Sequence, residues 1–170
     1  DAVPFIPSRE EDGYGLSKSG IDKILVLYPN QNILIITVDN GIVANDAAEY
    51  LYSVGDDLRV IPPDGQTRRS VPTKQQKDRR IQLIITDHHV KSKNLPKCDA
   101  LIHTTNLCGA GVAWILSKEI FKNFKNVKKL PEYQDTMDIL TIATVADMVP
   151  LTKFNRSIVK FGFEKLKKLF

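Results

Sequence analysis

Residues Ile81 to His89 read Ile-Gln-Leu-Ile-Ile-Thr-Asp-His-His, an apolar, β-branched run that ends in one carboxylate and two imidazoles. A similar run, Ile33 to Val38, is followed directly by Asp39. Continuous apolar runs of this length are typical of strands that are covered on both faces, as in a parallel sheet. Each run therefore predicts a buried strand with an aspartate at its carboxyl end.

Helical periodicity is found between and after these two strands. Strands that alternate with helices predict one α/β domain with a doubly wound, mainly parallel sheet flanked by helices, and such sheets bind ligands outside the carboxyl ends of their strands. Helices are predicted at 45–54, 111–124 and 134–146, and the first of them is expected to stop at Gly55. A last helical segment is predicted from the spacing of Val159, Phe163, Leu166 and Phe170. Further short strands are predicted at 58–61 and 99–103.

Two stretches of the chain are strongly basic. Gln66 to Arg80 contains six basic residues against one acid, and Lys153 to Phe170 also contains six against one. Residues 62–80 are almost free of apolar side chains and predict an inserted, flexible loop. The uneven charge suits a polyanionic partner, and the alternative is two solvated surfaces.

Other features exclude some protein classes. No apolar run approaches the roughly 20 residues that a membrane span requires. The first residues lack the pattern of a signal peptide, and the two cysteines, Cys98 and Cys108, provide no disulfide framework. These features predict a cytoplasmic protein.

The acidic and imidazole side chains define a candidate metal site. Asp87, His88 and His89 follow one strand, Asp39 follows the other, and Asp147 lies in an otherwise apolar stretch where we expect burial. Carboxylates and imidazoles together suit Mn²⁺, Zn²⁺ or Fe²⁺. Two ions about 4 Å apart could hydrolyse a phosphodiester in line, and a single-ion site is the alternative. Each of these groups also has a structural alternative. Asp87, His88 and His89 could form a polar turn, Asp39 a turn or helix cap, and Asp147 a helix cap.

The order of six motifs resembles the RecJ branch of the DHH phosphoesterases over almost the whole chain. They are Pro7-Ser8-Arg9, Gly13-Tyr14-Gly15-Leu16, Thr37-Val38-Asp39-Asn40-Gly41, Ile85-Thr86-Asp87-His88-His89, Cys108-Gly109-Ala110-Gly111-Val112-Ala113 and Ala143-Thr144-Val145-Ala146-Asp147-Met148-Val149-Pro150-Leu151. The Gly-Tyr-Gly-Leu motif and the segment around Asp147 favour RecJ over other branches of the superfamily.

The resemblance implies roles for these residues. Asp39 would be a metal-bridging carboxylate, His88 and Asp147 metal ligands, and Asp87 a ligand or the group that orients the histidines. Asp87 and His89 would be the catalytic residues, and His89 would contact the scissile phosphate.

Other substrate phosphates would lie near Arg9 and the turn from Gly109 to Gly111. A surface ion pair for Arg9, and close helix packing for Gly109 and Gly111, are the alternatives.

The resemblance implies a hydrolase that acts as a 5′ to 3′ exonuclease on single-stranded DNA in repair or recombination. Its cofactors would be two Mn²⁺ or Mg²⁺ ions, and its partners would be single-stranded DNA and other DNA repair proteins. An oligonucleotide or cyclic-dinucleotide phosphodiesterase and a noncatalytic scaffold are the alternatives. By the resemblance, the family's first Asp-x-Asp motif lies upstream of Asp1 and its second domain follows Phe170. We therefore expect residues 1–152 to form a catalytic domain without its N-terminal part, residues 153–170 to lead toward a second domain, and this chain alone to be weakly active or inactive.

Overall fold

The computed structural model describes residues 2–29, 31–56, 80–123 and 136–168. This part of the chain contains helices α1 to α5 and strands β1 to β3. In chain order they are α1 (Lys18–Leu27), β1 (Ile33–Val38), α2 (Asn45–Asp56), β2 (Ile81–Asp87), β3 (Ala100–His103), α3 (Gly109–Asn123), α4 (Met137–Ala146) and α5 (Lys153–Leu166). The predicted strand at 58–61 and, except for Arg80, the predicted loop at 62–80 lie outside the described residues.

The three strands form a parallel sheet in the order β1-β2-β3, which confirms the predicted fold class. β1 pairs with β2 from Ile33 opposite Ile81, and β2 pairs with β3 from Ile84 opposite Ala100. Because all strands run in one direction, their carboxyl ends meet at one edge. That edge carries the residues that follow β1 and β2.

Two apolar clusters hold the layers together. The first lies between the sheet and helices α1 and α2 and includes the fully buried Ile21, Leu51 and Leu83. The second joins the carboxyl side of the sheet to α3, α4 and α5 through buried residues that include Leu140 and Ile158. Because α4 and α5 belong to this second cluster, the segments around Asp147 and Thr152 are anchored by packed helices.

Several predicted boundaries and faces were wrong. Helix α2 continues through Gly55 to Asp56, and α3 begins two residues early, at Gly109. The buried face of α5 contains Ile158 and Gly162, each one residue before the predicted apolar positions Val159 and Phe163. Helix α1 was not predicted, although Ser17, whose hydroxyl accepts a hydrogen bond from Gly20 N at 3.1 Å, is a typical N-cap.

Strand β1 is also less covered than its apolar sequence predicts. Leu34, Ile36 and Val38, which share one face, are 52, 42 and 49% exposed. Within the described residues β1 pairs on one side only, with β2. The prediction of cover on both faces holds for the central strand β2, where no residue is exposed, and was wrong for β1. No helix in the described ranges is both long and apolar enough to cross a bilayer.

Candidate metal centre

Asp39 is presented by a tight turn directly after β1. Its backbone N–H donates to the Thr86 carbonyl at 3.0 Å, which extends the pairing with β2 by one residue. Asp39 itself has φ 63°, a left-handed conformation that asparagine and aspartate tolerate better than most residues. The Thr37 hydroxyl donates to the Asn40 carbonyl at 2.7 Å, and Gly41 has φ 107°, so the turn is held on both sides of Asp39.

Asp87 is buried at the end of β2 and anchors the turn that follows. Its Oδ2 accepts from Ile42 N at 2.9 Å, while Oδ1 accepts from His88 N, His89 N and His89 Nδ1 at 2.7, 3.2 and 2.7 Å. Burial opposes ionisation of this carboxyl, but the hydrogen bonds from Ile42 and His89 outweigh it and hold the pKa of Asp87 below its usual value. Both oxygens of Asp87 are thus occupied by contacts within the chain.

The imidazole of His88 lies between two carboxylates that are distant in sequence. His88 Nε2 is 3.1 Å from Asp39 Oδ1 and 3.4 Å from Asp147 Oδ2. The three side chains that we expected to share a site therefore converge on one point.

These atoms are suited to a cation. Among the described residues, Asp39 Oδ1 and His88 Nε2 are buried without a hydrogen-bond partner. The two atoms are close, but their geometry is not that of a hydrogen bond. Burial raises the pKa of Asp39, and the nearby charge of Asp147 raises it further against the opposing effect of His88. A divalent cation would satisfy both unpartnered atoms and neutralise the two carboxylates, so the donor set fits a metal such as Mn²⁺.

His89 lies on the outer side of this cluster, with Nδ1 hydrogen-bonded to Asp87 Oδ1 at 2.7 Å. Its ring is tilted against that of His88 with centroids 4.5 Å apart, and its side chain is 47% exposed. The hydrogen bond to Asp87 raises the pKa of His89, which favours the imidazolium form. One ligand atom each from Asp39, His88 and His89 lies within 4.8 Å of the others, so a metal could also approach from the His89 side.

Asp147 directly follows α4, and its backbone N–H donates to the Ala143 carbonyl at 3.0 Å. The expected burial of this residue was wrong: its side chain is 36% exposed, and the adjacent Met148 is 88% exposed. Met148 adopts φ 52°, so the chain turns sharply away after Asp147. Asp147 therefore combines the helix-end position that was one alternative with proximity to His88.

Gly109 lets the amino end of α3 approach Asp39 closely. A Cβ atom at Gly109 would lie 2.0 Å from Asp39 Oδ1 and 2.4 Å from Asp39 Cβ, far inside contact distance. Beside them is an open cavity of about 320 Å³. Its lining residues are Asp39, Cys108, Gly109, Ala110, Ala143, Ala146 and Asp147.

The other predicted phosphate-binding residues have different surroundings. Gly111 N donates to Cys108 Sγ at 3.3 Å, and a Cβ at Gly111 would lie 3.1 Å from Leu107 Cβ, which supports the close-packing alternative for that glycine. Arg9 is exposed, and its guanidinium lies 5.6 Å from the Tyr14 ring centroid. The described contacts of Arg9 are thus with Tyr14 and not with the carboxylates.

Sequence reasoning missed His103, the one histidine to which it gave no role. His103 ends β3, and its Nε2 lies 2.7 Å from the His89 carbonyl oxygen. Because a carbonyl can only accept, Nε2 must carry the proton. The parallel pairing of β2 with β3, which places His103 opposite Asp87, is the signal that could have found this contact.

Comparison with known proteins finds relatives that align with most of this chain. The chain is 31% identical over 121 residues to the single-stranded-DNA-specific exonuclease RecJ of Escherichia coli, which covers 66% of the chain. It is 30% identical to the RecJ of Bacillus subtilis over an alignment of 173 positions, which covers 96% of the chain. The chain is homologous to RecJ over most of its length. It spans about one sixth of these relatives, 16 and 17% of their lengths.

Solved RecJ structures match the fold as well. A crystal structure of exonuclease RecJ bound to manganese superposes with a TM-score of 0.62 at 28% identity, over 94% of this chain and 34% of that one. RecJ from Thermus thermophilus in complex with Mn²⁺ matches the fold with a TM-score of 0.57 at 24% identity, over 85% of this chain and 18% of that one. No protein-family model matches the chain.

Proposed function

We propose that this chain supplies part of the catalytic centre of a metal-dependent, RecJ-like exonuclease that degrades single-stranded DNA from the 5′ end during repair or recombination. The observation that carries the proposal is the convergence of Asp39, His88 and Asp147, where two buried polar atoms have no hydrogen-bond partner in the part of the chain that the structure describes. Homology to RecJ supports the substrate class.

In this proposal Asp39, His88 and Asp147 would be the ligands of Mn²⁺ or Mg²⁺, with Asp39 as a carboxylate that two ions would share. A bound divalent ion supplies an activated water and polarises a phosphoryl oxygen. The manganese in two solved RecJ structures supports this choice of metal for the related site.

Asp87 and His89 act as a pair beside the metal ligands. Because both oxygens of Asp87 already accept hydrogen bonds, we propose that Asp87 orients the histidines and is not a direct ligand. With Nδ1 directed at Asp87, His89 can offer an Nε2–H to an oxygen of the scissile phosphate. The hydrogen bond to Asp87 raises the pKa of His89, which favours the imidazolium form in which Nε2 carries that proton.

We propose that the phosphates beyond the scissile bond lie near Arg9 and the amino end of α3 at Gly109, whereas Gly111 allows the close packing of that helix. The backbone N–H groups and positive dipole end of a helix favour anions, and the cavity beside Asp39 opens next to Gly109. We propose residues 1–152 as part of the catalytic domain and residues 153–170 as the helix that leads toward a second domain.

The test compares Asp39→Asn and His88→Ala in the full-length polypeptide that contains this sequence. Manganese binding measured by calorimetry and nucleotide release from 5′-labelled and 3′-labelled single strands should both be lost. Asp46→Asn is a matched control, because Asp46 is an exposed carboxylate in the first turn of α2 and not part of the cluster.

Unchanged manganese binding and nucleotide release in both variants would refute the site. Release of nucleotides only from short oligonucleotides or cyclic dinucleotides would replace the exonuclease assignment with the phosphodiesterase alternative. A wild-type protein that binds a partner but neither metal nor DNA would support the scaffold alternative.

A further inference from the structure

Asn155, in the first turn of α5, is a buried amide without a role in the proposed chemistry. Its side chain is 4% exposed. The amide nitrogen donates one hydrogen bond to the Asn106 carbonyl at 2.8 Å and a second to the Pro150 carbonyl at 2.9 Å. One side chain thus ties together two loops that are more than forty residues apart in sequence.

Each of these loops leads to one wall of the metal centre. Asn106 is three residues before Gly109, the glycine that meets Asp39, and Pro150 is three residues after Asp147. The distance between the two loops therefore governs how closely Asp147 approaches the side of the cluster formed by Asp39 and Gly109.

The loop after α4 requires such a restraint. Met148 and Lys153, near its two ends, both have positive φ angles, 52° and 45°, which side-chain-bearing residues rarely adopt. Strained conformations of this kind persist only where the surrounding structure fixes them. Asn155 can supply the restraint because α5 is anchored by the buried Ile158, whose carbonyl accepts from the Thr141 hydroxyl at 3.0 Å.

The chemistry of the amide is specific to this task. Asn155 Oδ1 is buried and has no hydrogen-bond partner within the described ranges, so the hydrogen bonds of this residue are those of its two N–H donors. An aspartate would direct only acceptors at the two carbonyls, and a leucine would leave both carbonyls unpaired.

We propose that Asn155 is a positioning residue of the metal centre, which holds the loops before α3 and after α4 at the separation that the metal requires. The inference rests on the proposed function, because it assumes that Asp39, His88 and Asp147 bind a divalent ion. Groups that hydrogen-bond directly to metal ligands typically contribute about 10 to 100-fold to metal affinity. Asn155 acts one step further out, through the loops, so we expect an effect near the lower end of that range.

The experiment measures Mn²⁺ affinity by calorimetry and thermal unfolding without metal for Asn155→Asp and for the smaller Asn155→Ala in the full-length polypeptide. We expect the dissociation constant for Mn²⁺ to rise about tenfold or more in a folded protein. Excess Mn²⁺ should restore most of kcat, while KM for single-stranded DNA changes little. Asn155→Ala keeps the test valid if the aspartate variant does not fold.

Ser19→Ala is the control, because it removes one partly buried hydrogen bond, from the Ser19 hydroxyl to Asp12 Oδ1 at 2.8 Å, without touching α5 or either loop. If the Asn155 variants lose thermal stability as Ser19→Ala does but bind Mn²⁺ as tightly as wild type, the positioning role is refuted. Asp39→Asn in the same series separates the two ideas. Loss of Mn²⁺ binding in Asp39→Asn but not in the Asn155 variants overturns only the role of Asn155, and unchanged binding in all of them overturns the proposed function as well.

Discussion

Replacing Gly109 with alanine should push α3 away from Asp39 and weaken metal binding. The new Cβ would lie 2.0, 2.2 and 2.4 Å from Oδ1, Cγ and Cβ of Asp39, where ordinary contacts begin at 3.4 Å. Rotating the Asp39 side chain cannot relieve the clash between the new Cβ and the Cβ of Asp39, so the backbone of one segment must move by about 1 Å. That movement is large in comparison with metal–oxygen bonds of about 2.0 to 2.2 Å.

The expected result is at least a tenfold loss of Mn²⁺ affinity, which corresponds to about 1.4 kcal/mol. Alanine also favours helix by up to about 1 kcal/mol over glycine, so the free energy of unfolding without metal should change less than the clash alone suggests. Calorimetric titration with Mn²⁺ and urea unfolding without metal separate the two effects.

Gly111→Ala is the matched control in the same helix. A Cβ there would lie 3.1 Å from Leu107 Cβ, so a shift of a few tenths of an ångström suffices. Wild-type Mn²⁺ affinity in Gly109→Ala, or an equal loss in Gly111→Ala, would show that the contact of Gly109 with Asp39 does not control the site.

Two further predictions concern stability. Tyr52→Phe removes a hydrogen bond from the hydroxyl to Asp99 Oδ2 at 2.6 Å and should lower the free energy of unfolding by about 0.5 to 1.5 kcal/mol at pH 7 in urea titrations. This hydrogen bond lowers the pKa of Asp99 from its usual 3.8, so the difference in unfolding free energy between Tyr52→Phe and wild type should be present above pH 3.8. That difference should disappear as the pH falls through the lowered pKa. A difference that persists in acid would show that the bond to the Asp99 carboxylate is not its cause. Gly162→Ala places a Cβ 2.6 Å from the Met137 carbonyl oxygen, so α4 and α5 must separate, and the melting temperature should fall despite the better helix propensity of alanine. A rise in melting temperature would show that the two helices can adjust without cost.

The sequence predicted the parts of this structure that depend on local pattern and on the geometry of parallel sheets. The runs that end at Val38 and Thr86 became β1 and β2, and Asp39 and Asp87 followed them to the same edge. The convergence of Asp39 and His88 followed from parallel pairing, whereas Asp147 was included because of its apolar surroundings and its motif.

Features that depend on contacts between distant segments were missed or wrong. The exposure of Ile36 depends on which elements cover β1. The sequence of an apolar strand does not reveal whether another element covers it, so this exposure could not be predicted. The close approach of Gly109 to Asp39 and the bond from His103 to the His89 carbonyl involve residues far apart in sequence. Gly55 was expected to end α2, but tertiary packing can override the low helix propensity of one glycine.

The parallel registers also order the assembly of this site during folding. Ile84 and Ala100 pair across sixteen residues, whereas Ile33 and Ile81 pair across forty-eight. Closing the longer loop costs about 1 kcal/mol more in chain entropy, so β2 and β3 should associate first and β1 should join later. Asp39 would then reach His88 only in the final steps, and intermediates that already contain the two histidines would lack this carboxylate. Divalent ions should therefore bind the completed sheet and slow its unfolding, without accelerating its formation.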